Sequence, residues 1–426
     1  MLSPGAKGWI NKYFDLVEGG EISLDLLRPE GIRKLHFMHL TLGNSGIVFG
    51  YPLQMIFAKK LDDTQWTNEE KLKLLLFESH LFVYTQVHKD VPFEKEKFVH
   101  ALFDFYHFHS APAINKVFGL FKKQKKLDVL EAVLTKRVDI KLNLLENKWW
   151  VNSMSNAFVY LDVILFDDYE FNGRPASLTS YSSYAQNVLT AITLSAYSDG
   201  KIESKEKDMF NVFLASASLD EEQRDRSKTR FKVGASYEDF SLYISKHWLL
   251  KRFLLDMSAL LIFSNHEALE QEIAFLEEMA EHFEIPPFEL QETLAIVENF
   301  ILKSEDKATF LSDSASYGKV YKSLTKRWSK IILRNREKIA VELKQSKELI
   351  ALIGKSTKTD LTKEEKEIVK EQLKDIAKSV PSLTIFMLPG GTILMPLLLR
   401  LLPDLVPSAF RENQIDTDEA KAHKNQ

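Results

Sequence analysis

The chain has 426 residues, of which 45% are hydrophobic and 27% are charged, and it contains no cysteine. This composition supports a sizeable core and excludes a protein that is mostly disordered, collagen-like or of low complexity. The lack of cysteine excludes a disulfide framework, a thiolate nucleophile, a zinc–thiolate centre and an iron–sulfur cluster. Because no basic flank followed by an apolar stretch stands in the first 20 residues, we expect the bulk of the chain in the cytoplasm.

The charge is distributed unevenly along the chain. The formal net charge of −4 divides into −10 over residues 1–300, +7 over residues 301–378 and −1 over residues 379–426. A basic block between an acidic body and an apolar tail indicates a binding region for lipid head groups or RNA. A solvated helix face is the alternative interpretation of the same block.

The hydrophobic pattern predicts an all-α protein. Residues 69–88 place apolar side chains at helical spacing behind Asn68 as a candidate N-cap, and residues 125–145 repeat this pattern. Alternating strand patterns bounded by turns are not found. The glycines between Gly43 and Gly50 fit no nucleotide-binding fingerprint and predict a loop. We expect three parts, which are a helical domain over 1–150, a helical bundle over 151–300 and a basic arm with an apolar segment over 301–426.

An internal repeat at an offset of 66 residues lies in the second part. The pattern after Ser198 recurs after Ser264, with apolar residues at matching helical spacing. Each copy predicts a helix, a tight turn and a second helix, with Asp199 and Gly200 as the first turn. Two such copies packed face to face form a pseudo-symmetric bundle.

The repeat resembles the TerB-like domains of tellurite-resistance proteins, through Asp199-Gly200-x-Ile202 and Glu206. We expect no cofactor, although the resemblance implies a divalent cation as an alternative, with Asp199, Glu206 and Glu272 as candidate metal ligands. The second turn carries Asn265 where the family has an aspartate. A turn residue and a helix-capping glutamate are the structural alternative for Asp199 and Glu206.

The second informative feature is the apolar segment from Val380 to Leu399. These 20 residues carry no charge, and five of the 13 prolines fall within residues 381–407. Twenty residues of helix would cross a hydrocarbon core of about 30 Å, although prolines oppose a straight helix. The segment therefore predicts a kinked or re-entrant membrane element, with a Pro-broken tail buried in a soluble core as the alternative.

The proline spacing in this segment, with the Pro407-Ser408-x-Phe410 ending and the preceding Leu361-Thr362-x-x-Glu365, resembles the Letm family of membrane proteins. The membrane-segment positions that match are Pro381, Pro389, Gly390, Gly391, Pro396, Arg400, Pro403 and Pro407. Together with a TerB-like domain, the chain resembles Letm-related bacterial proteins that have been named as biofilm-associated. That resemblance implies a bacterial inner-membrane location, mostly facing the cytoplasm.

The Letm resemblance also implies ribosome binding and potassium/proton exchange. The position of the family's intramembrane acidic residue is occupied by Thr392 here, so transport is an alternative rather than the leading hypothesis. A long helix is predicted over residues 315–353, with its cations concentrated in the first half. The candidate partner-binding residues are Lys326, Arg327, Lys330, Arg334 and Arg336.

The sequence favours a protein that is not an enzyme. His36-x-x-His39 and His107-x-His109 have ligand-like spacing but lack a nearby carboxylate pattern, and Asp167, Asp168 and Glu170 predict an acidic turn at a helix end. The leading hypothesis is a membrane-associated scaffold or adaptor that binds ribosomes and not DNA, while oligomerisation stays open. The alternatives are cation transport and a soluble TerB-like metal- or stress-responsive module.

Overall fold

The computed structural model of the chain describes residues 2–26, 28, 32–109, 125–138, 156–173, 179–241, 247–263, 270–304, 329, 332–334 and 336–356, with seven single residues between 362 and 372. Every regular element in these residues is a helix, which confirms the prediction of an all-α protein. The chain divides into two compact units, residues 1–27 with 34–317 and residues 28–33 with 318–426. The predicted boundary at residue 150 lies outside the described residues.

The N-terminal half of the first unit is built around one buried helix. Its α-helices are α1 (Trp9–Glu18), α2 (Lys34–Ser45), α3 (Asn68–Val87), α4 (Lys95–His109), α5 (Lys126–Val138) and α6 (Tyr160–Asn172). Helix α3 is buried along nearly its whole length and packs against α2, α4, α5 and α6. A helix that is buried on all sides lies at the centre of a bundle, and α3 is that helix.

Two helix starts in this half are capped in different ways, one by neighbouring residues and one by a residue far along the chain. The Thr67 hydroxyl accepts the Glu70 N–H at 3.2 Å, and the Glu70 carboxylate accepts the Thr67 N–H at 2.8 Å. Thr67 is therefore the N-cap of α3, which corrects the expectation of Asn68. Helix α1 has no cap of its own; the Glu131 carboxylate on α5 accepts the N–H groups of Gly8 at 2.8 Å and Ile10 at 3.0 Å.

One further expectation is corrected here and one is confirmed. Gly43 lies inside α2 and not in a loop, and its missing side chain lets α2 approach Ile296 closely. Asp167, Asp168 and Glu170 lie within the last turns of α6, which confirms their interpretation as a helix end. Glu170 makes a contact of 2.6 Å with His88.

The predicted repeat is visible in the second half of the first unit. Its α-helices are α7 (Thr179–Ala196), α8 (Ser204–Ser216), α9 (Glu221–Val233), α10 (Trp248–Phe263), α11 (Glu270–His282) and α12 (Pro287–Ser304). Helices α7 and α8 form the first copy, α10 and α11 form the second, and α7 packs along α10. The first turn has Gly200 at φ 79° and Asp199 Oδ1 accepting the Lys201 N–H at 2.9 Å. The second turn, residues 264–269, lies outside the described residues.

The described part of the second unit contains α13 (Arg336–Gln345) and α14 (Lys347–Ser356). The prediction of one continuous helix over residues 315–353 is wrong at Ser346, which separates the two helices. The Ser346 N–H ends α13 by bonding to the Leu343 carbonyl at 3.0 Å, and its hydroxyl accepts the Leu349 N–H at 3.3 Å at the start of α14. Serine favours this role because its hydroxyl replaces a missing backbone acceptor.

Candidate partner-binding segment

Helices α13 and α14 divide their side chains between a core and a charged surface. Ile339, Leu343 and Leu349 are buried. Arg334, just ahead of α13, and Arg336 in its first turn are both exposed. An apolar inner side fixes such a helix in place, so that its outer cations are presented to solvent at defined positions.

The residues that follow α14 pack back onto it. The Thr362 hydroxyl accepts the Glu365 N–H at 3.3 Å, and the Glu365 carboxylate accepts the Thr362 N–H at 3.0 Å. This is a capping box at a new helix start. Lys355 Nζ donates to Glu365 at 2.5 Å, and this contact holds the pKa of that carboxyl below its usual range. Gln372 Nε2 donates to the Glu348 carboxylate at 2.6 Å, which makes a second tie to α14.

The exposed surface of this segment combines cations with apolar side chains. Lys338 on α13 is exposed, as are Leu333 and Val341. Of the five predicted partner-binding residues, Arg334 and Arg336 lie on this surface, whereas Lys326, Arg327 and Lys330 lie outside the described residues. A surface of this composition suits an anionic macromolecule with some apolar area, because charge positions the partner and apolar contact adds affinity.

The predicted metal ligands lie around the start of α8. Glu206 is buried in the first turn of α8, where its carboxylate accepts the Glu203 N–H at 2.8 Å. Burial, together with the nearby carboxylates of Asp199, Glu203 and Glu272, raises the pKa of Glu206 to about 7 against the opposing hydrogen bond from the Glu203 N–H. Within the described residues, no group of three or more histidine, aspartate and glutamate side chains is arranged to hold a metal ion. The cation site stays a prediction.

We expect Glu206→Gln to stabilise the protein at pH 8 by about 1 kcal/mol, after allowance for solvent screening, and to leave stability unchanged near pH 4.5. The folded state holds the Glu206 proton more tightly than the unfolded state does. Wild-type stability from this group is therefore full below pH 4.5 and is lost as the pH rises towards about 7. Glutamine is neutral throughout and still offers an oxygen to the Glu203 N–H. Thermal melts at both pH values measure the difference.

The matched control is Glu281→Gln, which removes an exposed carboxylate from α11. If a divalent cation were bound by Glu206, the Glu206→Gln variant would be less stable than the wild type at pH 8 instead of more stable. Calcium or magnesium would then raise the melting temperature of the wild type, and Asp199→Asn would abolish that rise. A melting temperature of the wild type that does not respond to either cation leaves Asp199 as a turn residue and Glu206 as a helix cap.

The predicted membrane-segment residues lie outside the described residues, from Pro381 to Pro407. Among the helices that the structure describes, none combines the length and the apolar character needed to cross a bilayer.

Sequence reasoning missed three buried polar networks that hold the first unit together. Glu78 on α3 accepts three backbone N–H groups, Arg137 on α5 pairs with Asp162 on α6, and His36 and His39 on α2 pair with carboxylates of α10 and α12. The sequence carries only a weak signal for these networks. His36 and His39 share one helix face with Gly43, and this spacing marks a face that packs closely without naming its partner.

The comparisons with known proteins concern the C-terminal segment. A family model described as LETM1-like, RBD, the ribosome-binding domain, matches residues 361–426, which are 66 of the 426 residues. No curated protein matches the chain, and no solved structure matches it. The capping box at Thr362 stands at the start of the matched segment and packs onto α14. The C-terminal part of this chain is therefore similar to a LETM1-like ribosome-binding domain.

Proposed function

We propose that this protein is a non-catalytic adaptor that binds ribosomes through its C-terminal segment. The observation that carries the proposal is the LETM1-like ribosome-binding match over residues 361–426, together with the packing of its first described residues onto α14. The match supports a Letm-related role. Because ribosomal RNA is a dense polyanion, the exposed cations beside α13 are the side chains best suited to contact it.

Attachment to a membrane is the second half of the proposal. Residues 380–399 contain no charged side chain, and six lysines stand between residues 358 and 378. Lysines shortly ahead of an apolar segment favour retention of the preceding residues in the cytoplasm. We therefore propose a location at the cytoplasmic face of a bacterial inner membrane. Complete release of the protein from membranes by alkaline carbonate would contradict this half alone.

The helical repeat favours, as an alternative, a role for the first unit as a TerB-like metal- or stress-responsive module. Its support is the order of α7, α8, α10 and α11, with α7 packed along α10. Cation transport is the less favoured alternative, since Thr392 offers no carboxylate for a relay inside the apolar segment.

Charge reversal in the basic arm tests the ribosome proposal. We expect replacement of all five candidate residues by glutamate to weaken co-sedimentation with ribosomes by about tenfold or more at low salt, because contacts with phosphates are lost and like charges are introduced. The reversed residues are Lys326, Arg327, Lys330, Arg334 and Arg336. Ultracentrifugation with purified ribosomes over a series of salt concentrations provides the measurement, and the wild type is expected to show the steeper salt dependence.

A variant with the same change in net charge serves as the control. It carries glutamate at five exposed cations of the first unit: Lys97, Arg224, Arg226, Lys228 and Lys232. This variant is expected to co-sediment with ribosomes as the wild type does. If the two variants lose binding equally, the effect is one of net charge and not of the arm. If the wild type never co-sediments at low salt, the ribosome proposal is wrong.

A further inference from the structure

One face of α2 carries two histidines and a glycine and packs against α10 and α12. His36, His39 and Gly43 are separated by three and four residues and therefore lie on the same side of the helix. A Cβ atom at Gly43 would come within 3.0 Å of the Ile296 side chain on α12. Helix α2 also packs on α10. This close approach removes water from the seam between α2, α10 and α12, the seam in which both histidines lie.

Each histidine meets one carboxylate from across the seam. His36 Nε2 lies 2.6 Å from Glu292 Oε2 on α12, and His39 Nε2 lies 2.8 Å from Asp256 Oδ2 on α10. All four side chains are buried, and those of His39 and Asp256 are 0% exposed. The side-chain contacts of α2 across the seam therefore join two imidazoles to two carboxylates.

A buried cation on α10 completes the surroundings of His39. Arg252 Nη1 donates to Glu289 Oε2 at 3.0 Å, and Nη2 donates to Thr293 Oγ1 at 3.0 Å. The guanidinium also lies 5.2 Å from the Trp248 ring centroid, and that ring stands 5.9 Å from the ring of His39. Arg252 and Asp256 of α10 therefore face His39. Glu289 and Glu292 contribute carboxylates from α12, and His36 lies one turn before His39 on α2.

A second proton on His39 would have no acceptor. With Nε2–H donating to Asp256, the next proton goes to Nδ1, which has no hydrogen-bond partner among the described residues. A buried N–H without an acceptor is unfavourable, and the Arg252 charge repels the imidazolium. Burial, followed by Arg252, lowers the pKa of His39 against the opposing effect of Asp256.

We propose that the seam between α2, α10 and α12 is a proton-operated latch, in which uptake of one proton by His39 releases α2 from the other two helices. Docking of α2 is strongest when His39 is neutral and weakens as the solution becomes mildly acidic. It is a regulatory device of the first unit and does not depend on the ribosome proposal.

The size of the response follows from the linkage between proton uptake and undocking. A released His39 regains its ordinary pKa of about 6.5, whereas burial holds the pKa of the docked side chain below that value. Docking is therefore at full strength above pH 6.5 and weakens as the pH falls below that value. Between pH 7.5 and pH 5.5 the equilibrium for docking of α2 is expected to weaken by up to about tenfold, which is the limit for uptake of one proton.

Hydrogen exchange of the full chain tests the latch. Protection of the amides of α2 is measured at pH 7.5 and pH 5.5 and corrected for the intrinsic exchange rates, with α5 as an internal reference that does not contact the seam. We expect α2 of the wild type to lose up to about tenfold more protection than α5 does between the two pH values. His39→Gln retains a donor to Asp256 but cannot take up a proton, so the change in protection of α2 in this variant is expected to equal that of α5.

Three further variants make the test specific. His36→Gln is expected to keep the pH response, because the proposal assigns it to His39, and His100→Gln, an exposed histidine on α4, is the matched control. His39→Asn replaces His39→Gln if the latter does not fold. Equal protection of wild-type α2 at the two pH values overturns the proposal without any variant. A pH response that persists in the His39 variants, or that disappears in His36→Gln alone, also overturns it.

Discussion

Replacement of Arg137 by leucine is expected to lower the free energy of unfolding by about 3–5 kcal/mol. Arg137 on α5 and Asp162 on α6 form a two-point pair, with Nε donating to Oδ2 at 2.6 Å and Nη2 donating to Oδ1 at 2.7 Å. Both side chains are buried. In the variant the Asp162 carboxylate stays buried without its arginine. The hydrogen bond from the Tyr106 hydroxyl, at 3.2 Å, then remains to it.

Urea denaturation of the full chain measures this loss, with two variants for comparison. Arg226→Leu removes an arginine from an exposed pair with Glu222 on α9 and is expected to change stability by less than about 1 kcal/mol. The double variant Arg137→Leu with Asp162→Leu removes both charges and is expected to recover much of the loss. If Arg137→Leu were as mild as Arg226→Leu, the pair would not be buried in solution as it is in the structure.

The second large effect is expected at Glu78, where alanine should lower the free energy of unfolding by about 4 kcal/mol or more. The carboxylate accepts the N–H groups of Ile56, Phe57 and Ala58 at 2.6, 3.0 and 2.8 Å, and the Tyr13 hydroxyl at 2.9 Å. Alanine leaves these four buried donors without their acceptor, and each such group costs about 1–3 kcal/mol. Denaturant titration gives the value.

Two variants separate this role from the loss of any glutamate on α3. Glu69→Ala removes an exposed carboxylate from the first turn of the helix and is expected to cost only a few tenths of a kcal/mol. Glu78→Gln keeps one acceptor oxygen, so it is expected to fall between the alanine variant and the wild type. A Glu78→Ala protein within about 1 kcal/mol of the wild type would show that the segment from Ile56 to Ala58 finds other acceptors.

Local structure was readable from the sequence where neighbouring residues determine it. The apolar period over residues 69–88 located α3 to within one residue at each end. Its N-cap was also readable, since Glu70 stands three residues after Thr67 and completes a capping box, whereas Lys71 stands three residues after Asn68. The same rule finds the helix start at Thr362 and Glu365, and a serine such as Ser346 is a candidate break in any predicted long helix.

The buried networks were not readable, because their members are far apart along the chain. His36 and Glu292 are 256 residues apart, and Arg137 and Asp162 are joined only by the packing of α5 on its neighbours. A single sequence indicates which helix face is buried but not which side chain meets it. The assignment of Gly43 to a loop failed for a related reason, since only the tertiary contact with Ile296 explains a glycine inside α2.

The carboxylate of Glu131 has a consequence for synthesis of the chain. It supplies the acceptors for the first N–H groups of α1, although it follows Gly8 by 123 residues. At about 5–20 residues per second, the start of α1 waits roughly 6–25 s after it is translated before that acceptor has been made. In a nascent chain halted before α5, the first N–H groups of α1 are therefore expected to bond to water instead of to Glu131.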